Sequence, residues 1–412
     1  MSTIIQHTLD NGMRMVLEPM DHLPSAACGF LVRTGARDEP PQIEGVSHFL
    51  EHMCFKGTAT HTWRELAEKL DALGANYNAY TSEERTFYYG WVPAALLNAQ
   101  TELLADMLQP ALPEDEFNTE KNVILEEIAQ HRDSLESCMF ELACKQLFKG
   151  HPLERSVLGT RDTIEPLQRS QMAEYLNARY HAANIIFLAT GRFQPDSLIR
   201  QLDLLTRNWR SSPPDHPQPR PTIQNGTASQ KLDRFKQQAI MCCCPMPPGC
   251  AGDPRPSAIA KILGGNNSRI YWNVIQEGIC PEAGAFLMEY EDTSVLVLYA
   301  LCQPERCDEV VNALRTQAAN LQQNGPTESE IQRIHARAKA SLAAAADQPQ
   351  RRLKQLVDDV DLTGKPLSLQ QHLQRIEQLS PGTIRQTLDQ YPIDRHGMIV
   401  SVGPCDWQAI PT

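Results

Sequence analysis

The segment Ile185-Ile-Phe-Leu-Ala-Thr-Gly191 has a similar counterpart near the end of the chain, Met398-Ile-Val-Ser-Val-Gly403. Each copy is an apolar, β-rich run that ends in glycine and follows a segment with helical periodicity. Upstream, Ile164-Glu-Pro-Leu167 corresponds to Ile376-Glu-Gln-Leu379. The offset is 212 positions at both the aligned glycines and the aligned isoleucines, in a chain of 412 residues. This period predicts a duplicated domain, with chance similarity of two common helix–strand units as the alternative.

A proline-rich segment divides the chain almost at its midpoint. Ser211–Pro221 holds five prolines in eleven residues. Proline fixes φ and removes a backbone donor, so neither a helix nor a central strand forms there. The sequence therefore predicts two similar domains, residues 1–210 and 226–412, joined by a linker over residues 211–225.

The element pattern within the halves indicates an α+β fold. Asp10-Asn-Gly12 is turn chemistry for a hairpin, Gly45–Phe55 has helical spacing, and Thr62 with Glu65 forms a capping-box pattern. Tyr77–Val92 is aromatic and rich in Thr, which favours strand, and Pro113–Phe148 has the periodicity of one or two long helices. We predict that each domain is a mainly antiparallel sheet covered by helices on one face.

Composition excludes several classes of partner. The formal net charge is −12, from 38 Lys+Arg against 50 Asp+Glu, and no basic stripe is present, so a nucleic-acid partner is not expected. The longest strongly apolar stretch, Ser294–Cys302, is about half of the roughly 18–20 residues that a bilayer-spanning helix needs. No membrane partner is expected. Since no secretory signal is visible, we expect a cytoplasmic location.

The candidate for chemistry is His48-Phe-Leu-Glu-His52 on the first predicted helix. Residues four apart lie on one helix face, so both imidazoles can reach one metal ion. Glu51 is displaced around the helix and can accept a proton beside that ion. The alternative is a chance pair of histidines that caps a helix or forms salt bridges on a solvated face.

Catalytic zinc sites need a third protein ligand and keep one position open. The candidates lie in Glu120–Ile128, where Ile124 and Ile128 mark a buried helical stripe. Glu120 and Glu127 are seven residues apart, which is two turns along one face. A carboxylate beside the core needs a partner, and a dication would keep it ionised.

Several motifs occur in a fixed order and carry a resemblance to a known family. The inverted zinc motif His48-x-x-Glu51-His52 is typical of the inverzincins. The flanking motifs are Asp10–Leu17, Gly45–Met53, Asn78–Ser82, Val123–Ile128, Gly150–Leu153 and Leu158–Thr160. Together they resemble the pitrilysin family of zinc metallopeptidases, in its shorter class that includes the mitochondrial processing peptidase. Specific motifs cover nearly the whole first half, and the second half is similar only in layout.

The resemblance implies a zinc peptidase with two similar α+β domains. It implies that three side chains bind Zn²⁺: His48, His52 and Glu127. It further implies that Glu51 is the general base toward a zinc-bound water and that Glu120 is a supporting carboxylate. Glu126 is the rival third ligand, but the seven-residue spacing from Glu120 favours Glu127.

The resemblance also assigns substrate binding to one strand. Asn76–Thr81 is similar to the family's edge strand, on which an extended substrate adds by main-chain hydrogen bonding. It therefore implies that Asn78 and Ala79 contact a peptide or unfolded polypeptide. The expected assembly is a homodimer, or a heterodimer with a related chain.

The second half departs from the family pattern. Family members carry an Arg and a Tyr seven residues apart, following a Gly-rich stretch and Ser-Arg. Gly264–Arg269 supplies that stretch, but the two positions hold Ile275 and Glu282. The leading hypothesis is a zinc endopeptidase. The alternative is a catalytically weak or inactive scaffold or partner subunit, and a purely structural zinc site is disfavoured because three ligands leave an open position.

Overall fold

The computed structural model describes residues 3–211, 220–247, 252–395 and 397–407. These residues form two compact units, each assembled from three segments of the chain. Unit 1 takes its described residues from Met1–Ala129, Arg155–Gln218 and Leu342–Leu369. Unit 2 takes its described residues from Gln130–Glu154, Pro219–Ser341 and Gln370–Thr412.

The strands of the described residues form one sheet in each unit. Those of unit 1 are β1 (Ile5–Thr8), β2 (Arg14–Pro19), β3 (Ser25–Val32), β4 (Asn76–Thr81), β5 (Thr86–Pro93) and β6 (Ile185–Gly191). Those of unit 2 are β7 (Gly226–Lys231), β8 (Gln238–Met246), β9 (Glu282–Glu289), β10 (Ser294–Cys302) and β11 (Met398–Gly403).

The helices of the described residues are numbered in chain order. They are α1 (Val46–Cys54), α2 (Trp63–Ala72), α3 (Leu97–Met107), α4 (Glu114–Arg132), α5 (Leu135–Leu147), α6 (Arg161–Ile164), α7 (Arg169–Arg179), α8 (Pro195–Thr206), α9 (Pro254–Leu263), α10 (Cys307–Asn324), α11 (Glu328–Asp347), α12 (Pro349–Thr363), α13 (Leu369–Glu377) and α14 (Pro381–Gln390).

The two sheets repeat one topology. The strand order is β1-β2-β6-β3-β5-β4 in unit 1 and β7-β11-β8-β10-β9 in unit 2. Strands β2 and β6 pair in parallel, as do β7 and β11, and the remaining neighbours pair antiparallel. Strand β6 therefore matches β11, the pair that the sequence offset relates. The α+β class and the repeated domain are confirmed.

Helices cover both faces of each sheet. The helix on the second face comes from the other half of the sequence. In unit 1 most helices pack on one face, and α12 packs on the other through Leu353, Leu356, Val357 and Val360. In unit 2, α5 covers the second face through Cys138, Met139, Ala143 and Leu147. Helices α5 and α12 follow the long helices α4 and α11, so they are equivalent elements.

The structure differs from the predicted domains because the two halves of the sequence exchange these helices. The predicted domains 1–210 and 226–412 are continuous and have helices on one face, whereas the compact units exchange segments so that one helix covers each second face. In the predicted linker, residues 212–219 lie outside the described residues. Across the described ranges, no helix has the length and apolar character that crossing a membrane requires.

Candidate metal centre

Helix α1 begins at a site built for close backbone contact. Gly45 precedes it with φ of +89°, and a Cβ there would lie 2.5 Å from the backbone oxygen of Leu158. The side chain of Glu39 accepts hydrogen bonds from the backbone N–H groups of Gly45 (2.6 Å) and Ser47 (2.7 Å). These bonds satisfy donors that a helix N-terminus otherwise leaves unpaired. The start of α1, and hence the direction of its histidines, is held from outside the helix.

Two histidines of α1 and one glutamate of α4 converge within unit 1. The Nε2 atom of His48 lies 3.9 Å from Oε2 of Glu127, and Nε2 of His52 lies 3.8 Å from the same oxygen. The two imidazole centroids are 4.6 Å apart. One ligand atom from each of these side chains lies within 4.8 Å of the other two.

Glu120 supports this cluster from the preceding part of α4. Its Oε1 atom lies 2.8 Å from Nδ1 of His52, and its Oε2 atom lies 2.6 Å from the ammonium of Lys56. A proton on Nδ1 leaves the lone pair of His52 Nε2 free for a metal, which is the usual role of such a carboxylate. The buried Nδ1 of His48 has no hydrogen-bond partner among the described residues.

Glu51 is held beside the cluster by a strand residue. The hydroxyl of Thr81 donates a 2.5 Å hydrogen bond to Oε2 of Glu51, whose side chain is largely buried. Burial raises the pKa of the Glu51 carboxyl, and Glu127 adds to the rise, while Thr81 and His52 oppose it. A carboxyl with a raised pKa suits proton transfer near neutral pH.

The neighbours of the cluster also set the charge of its ligands. Burial lowers the pKa of His48 to about 4, with His52 adding to the shift, so His48 is neutral near pH 7. Burial alone would lower the pKa of His52, but Glu120 and Glu127 raise it overall. Burial alone would raise the pKa of Glu120, but the hydrogen bonds from His52 and Lys56 lower it overall. Glu120 therefore stays ionised.

The donor set fits zinc. Two imidazole nitrogens and one carboxylate form the ligand set of catalytic zinc sites with an open position. Bonds of about 2.0–2.1 Å at a tetrahedral angle place two ligand atoms about 3.3 Å apart. The observed 3.8–3.9 Å separations from Glu127 require a shift of about half an ångström. The Glu127 side chain is 36% exposed and has room for that shift.

Glu126, the rival third ligand, lies on the exposed face of α4 and outside the cluster. Loss of an outer hydrogen-bond partner weakens metal binding roughly 10–100-fold. We expect Glu127→Gln, which replaces a ligand, to weaken zinc binding by more than this. The matched control is Glu126→Gln, which should bind zinc as the unmodified protein does. Competition with a calibrated zinc chelator measures both affinities. If the two variants exchange these results, the ligand assignment is wrong.

The strand assigned to substrate lies at the open edge of its sheet. Strand β4 pairs with β5 and ends the strand order in the described residues. The N–H of Ser82 donates to the oxygen of Arg85 at 2.8 Å, so these residues form a hydrogen-bonded pair. Hydrogen-bonded pairs alternate with other pairs along an antiparallel ladder. The backbone groups of Asn78 therefore face β5, and those of Ala79 and Thr81 face the open edge. The N–H of Ala79 donates to the Asn78 side chain at 2.8 Å.

The two positions that depart from the family pattern lie in unit 2. Ile275 is the last residue of a short helical turn, Tyr271–Ile275, and Glu282 begins β9. The nearby Arg269 forms an ion pair with Glu330, with Nε and Oε1 2.7 Å apart. Neither position carries a cation or a phenol.

Two supporting residues were missed in the sequence. Lys56 lies four residues after His52, so the spacing of one helix turn was an available signal. Thr81 lies two residues after Ala79, and alternation along the strand puts both side chains on the same face of the sheet. Neither signal says that the side chain meets a carboxylate.

Comparison with known proteins places this fold in a known family. The family profile described as insulinase (peptidase family M16) matches residues 14–161, and the profile described as the peptidase M16 inactive domain matches residues 166–337. The uncharacterized zinc protease YmxG of Bacillus subtilis is 29% identical over 89% of this chain and 90% of its own. The uncharacterized zinc protease ML0855 of Mycobacterium leprae is 28% identical over 97% of this chain and 92% of its own.

Solved structures show the same fold. A protease from Helicobacter pylori superposes with a TM-score of 0.89 at 20% identity, covering 98% of this chain and all of that one. A chain in complex III2 from Candida albicans superposes with a TM-score of 0.82 at 18% identity, covering 98% of this chain and 96% of that one. The two family profiles and the names of the relatives support a zinc metallopeptidase-like protein. The chain belongs to peptidase family M16.

Proposed function

We propose that the protein is a zinc-dependent endopeptidase that hydrolyses peptides or unfolded segments of polypeptides. The observation that carries this proposal is the convergence of His48, His52 and Glu127, with Glu51 held beside them. A site with purely structural zinc has no need of an additional, partly desolvated carboxyl. The printed names of the relatives, which call them zinc proteases, support the same class.

The residues of the chain divide the work of hydrolysis. Zinc bound there would act as a Lewis acid and lower the pKa of a water molecule toward 7. Glu51 accepts a proton from the attacking water and later delivers it to the leaving amine, general acid–base work that contributes about 10²–10⁴-fold. Thr81 keeps one Glu51 oxygen in place, which leaves the other oxygen for the proton.

Thr81 positions Glu51, so its replacement should change kcat and leave substrate and zinc binding unchanged. We expect Thr81→Val to lower kcat about tenfold while KM and zinc content stay unchanged, because a free Glu51 side chain spends less time aligned. Thr81→Ser retains the hydroxyl and should retain most of kcat. Steady-state kinetics on a quenched fluorescent peptide measures both variants. A Thr81→Ser variant as slow as Thr81→Val would show that packing of the methyl group matters, and not the hydrogen bond.

The open edge of β4 supports binding of an extended substrate. An incoming strand would pair with the backbone groups of Ala79 and Thr81, which point away from β5. Main-chain pairing is largely independent of substrate side chains, so it suits unfolded polypeptides. The Asn78 side chain must release the N–H of Ala79 for this pairing.

Ala79→Pro removes the outward N–H without removing a bond to β5. We expect it to raise KM at least about fivefold, since one substrate hydrogen bond contributes about 1 kcal/mol. Proline is tolerated at sheet edges where its missing donor faces solvent. Ala79→Gly keeps the N–H and serves as the matched control. An unchanged KM in a folded, zinc-loaded Ala79→Pro variant would contradict binding along β4.

One experiment tests the proposed function as a whole. Purified protein is stripped of metal with a chelator, reloaded with one equivalent of zinc, and incubated with a mixed peptide pool and with a stably folded protein. We expect cleavage of the peptides to disappear on stripping and to return on reloading, with the folded protein left intact. Stoichiometric zinc binding without any peptide cleavage would contradict the endopeptidase assignment.

A second candidate is a catalytically weak or inactive partner subunit of a peptidase-like complex. Ile275 and Glu282 favour it, because neither side chain can stabilise a developing oxyanion as a cation or phenol does. We propose assembly as a homodimer or with a related chain. Light scattering of the purified protein measures self-association. Cleavage that requires an added related chain would favour the partner role.

A further inference from the structure

Unit 2 contains a cavity of about 380 Å³ between α9 and α11. This volume lies near the lower end of the roughly 300–1,000 Å³ range of small-molecule sites. Part of its lining is apolar: Ala258, Ile262, Ile334, Ala338, Ile376 and Leu379. The cavity is formed entirely by residues of unit 2.

The cavity occupies the position in unit 2 that the metal centre occupies in unit 1. Glu120 and Glu127 are the seventh and fourteenth residues of α4, and Ile334 and Ser341 are the seventh and fourteenth residues of α11. Both Ile334 and Ser341 line the cavity. Unit 2 therefore has Ile334 and Ser341 in place of carboxylates at these two helix positions, and an open space lies beside them.

On the facing helix α9, Ser257 and Lys261 line the cavity with the four-residue spacing that His48 and His52 have on α1. A serine and a lysine do not form a zinc site with an isoleucine. The position that corresponds to the metal site is therefore lined by a basic side chain, Lys261.

Three basic side chains line this cavity: Lys261, Arg333 and Arg337. Arg337 donates to the backbone oxygen of Asn266 at 2.7 Å, and Arg333 donates to the hydroxyl of Ser329 at 3.2 Å. Among the described residues, none of the three forms an ion pair within 4.0 Å. Arg333 and Arg337 are one helix turn apart, so both guanidinium groups can reach one anion.

The acidic side chain that lines the cavity is already neutralised. Glu330 accepts two bonds from Arg269, at 2.7 and 2.9 Å, and also caps α11 through the N–H of Thr327. The side chains of Lys261, Arg333 and Arg337 are all exposed to solvent. The lining thus combines an apolar wall with an excess of positive charge, in a chain whose net charge is −12.

We propose that the cavity between α9 and α11 is a binding site for a small organic carboxylate with an apolar body. The carboxylate would contact Lys261, Arg333 and Arg337, and the apolar body would lie against Ile334 and its neighbours. Arginine pairs well with carboxylates because its planar fork donates two parallel hydrogen bonds. The site lies in unit 2, outside the metal centre of unit 1.

Isothermal titration of the full chain with octanoate tests this proposal, with octylamine and octanol as probes of the same length and different charge. We expect saturable binding of octanoate, about one per chain, and at least tenfold weaker binding of both controls. Lys261→Gln combined with Arg337→Gln should weaken octanoate binding at least about tenfold. Zinc content and the thermal unfolding midpoint show whether this variant is folded.

A second pair of variants tests the correspondence with the metal centre. Ile334→Glu places a carboxylate where α4 has Glu120 and should abolish octanoate binding by repulsion. Ile334→Gln is the neutral control of the same size and should bind octanoate more tightly than Ile334→Glu does. The proposal is overturned if octanol binds as well as octanoate, if octanoate does not saturate the unmodified protein, or if Ile334→Glu and Ile334→Gln bind it equally.

Discussion

Glu51→Gln is expected to lower kcat by about 10³-fold or more while leaving zinc bound. The substituted amide side chain has the shape of the glutamate and can still accept the hydrogen bond of Thr81, but it cannot take a proton from water. General acid–base catalysis contributes about 10²–10⁴-fold, and Glu51 performs both proton transfers in the proposed mechanism. Zinc stoichiometry by atomic emission and turnover of an unfolded peptide substrate measure the two halves of the prediction.

Glu126→Gln is the matched control for Glu51→Gln. It makes the same chemical change on an exposed side chain of α4, adjacent to the proposed ligand Glu127. Its zinc content and turnover should equal those of the unmodified protein. If Glu51→Gln retains more than a tenth of the activity, Glu51 is not the general base.

Arg352→Leu is expected to lower the free energy of unfolding of unit 1 by about 3–5 kcal/mol. Arg352 of α12 and Glu18 of β2 form a fully buried ion pair, with Nε and Oε2 2.5 Å apart. The guanidinium also donates to the oxygens of Leu367 (2.6 Å) and Gln355 (2.8 Å). Removing one buried partner is costly because the remaining charge loses the group that compensates its desolvation.

Urea unfolding, followed by hydrogen exchange of the β2 amides, measures this loss in unit 1. Arg351→Leu is the control, since Arg351 is the exposed neighbour on the same helix and its replacement should change stability by no more than about 0.5 kcal/mol. Glu18→Leu combined with Arg352→Leu should recover most of the loss, because two apolar side chains replace the pair. A loss below about 1 kcal/mol in Arg352→Leu would show that the pair does not hold α12 on the sheet.

The parts of the structure that follow from local sequence were predictable. The hairpin at Asp10-Asn-Gly12 and the helix that carries His48 and His52 depend on turn chemistry and helical spacing, which act over a few residues. The duplicated sheet was visible because one inner strand of each sheet, β6 and β11, has a similar apolar run. The meeting of Glu127 with the histidines required the family resemblance, since the spacing alone left more than one glutamate open.

The remaining contacts join residues that are distant in sequence and carry no local signal. Arg351 and Arg352 are identical neighbours, yet packing exposes one and buries the other against Glu18, which is 334 residues away. Thr81 meets Glu51 across 30 positions, and a threonine in a strand is equally common without such a partner. The exchange of α5 and α12 also depends on tertiary packing, because an amphipathic helix does not specify which sheet it covers.

Anomalous diffraction at the zinc absorption edge, from crystals of the zinc-loaded protein, locates the bound metal and identifies its ligands. We expect one zinc ion bound by Nε2 of His48, Nε2 of His52 and a carboxylate oxygen of Glu127, at about 2.0–2.2 Å, with no fourth protein ligand. Glu51 should lie beside the ion without bonding to it. A zinc ion with four protein ligands, or one bound elsewhere while this cluster stays empty, would show that the proposed catalytic zinc site is wrong.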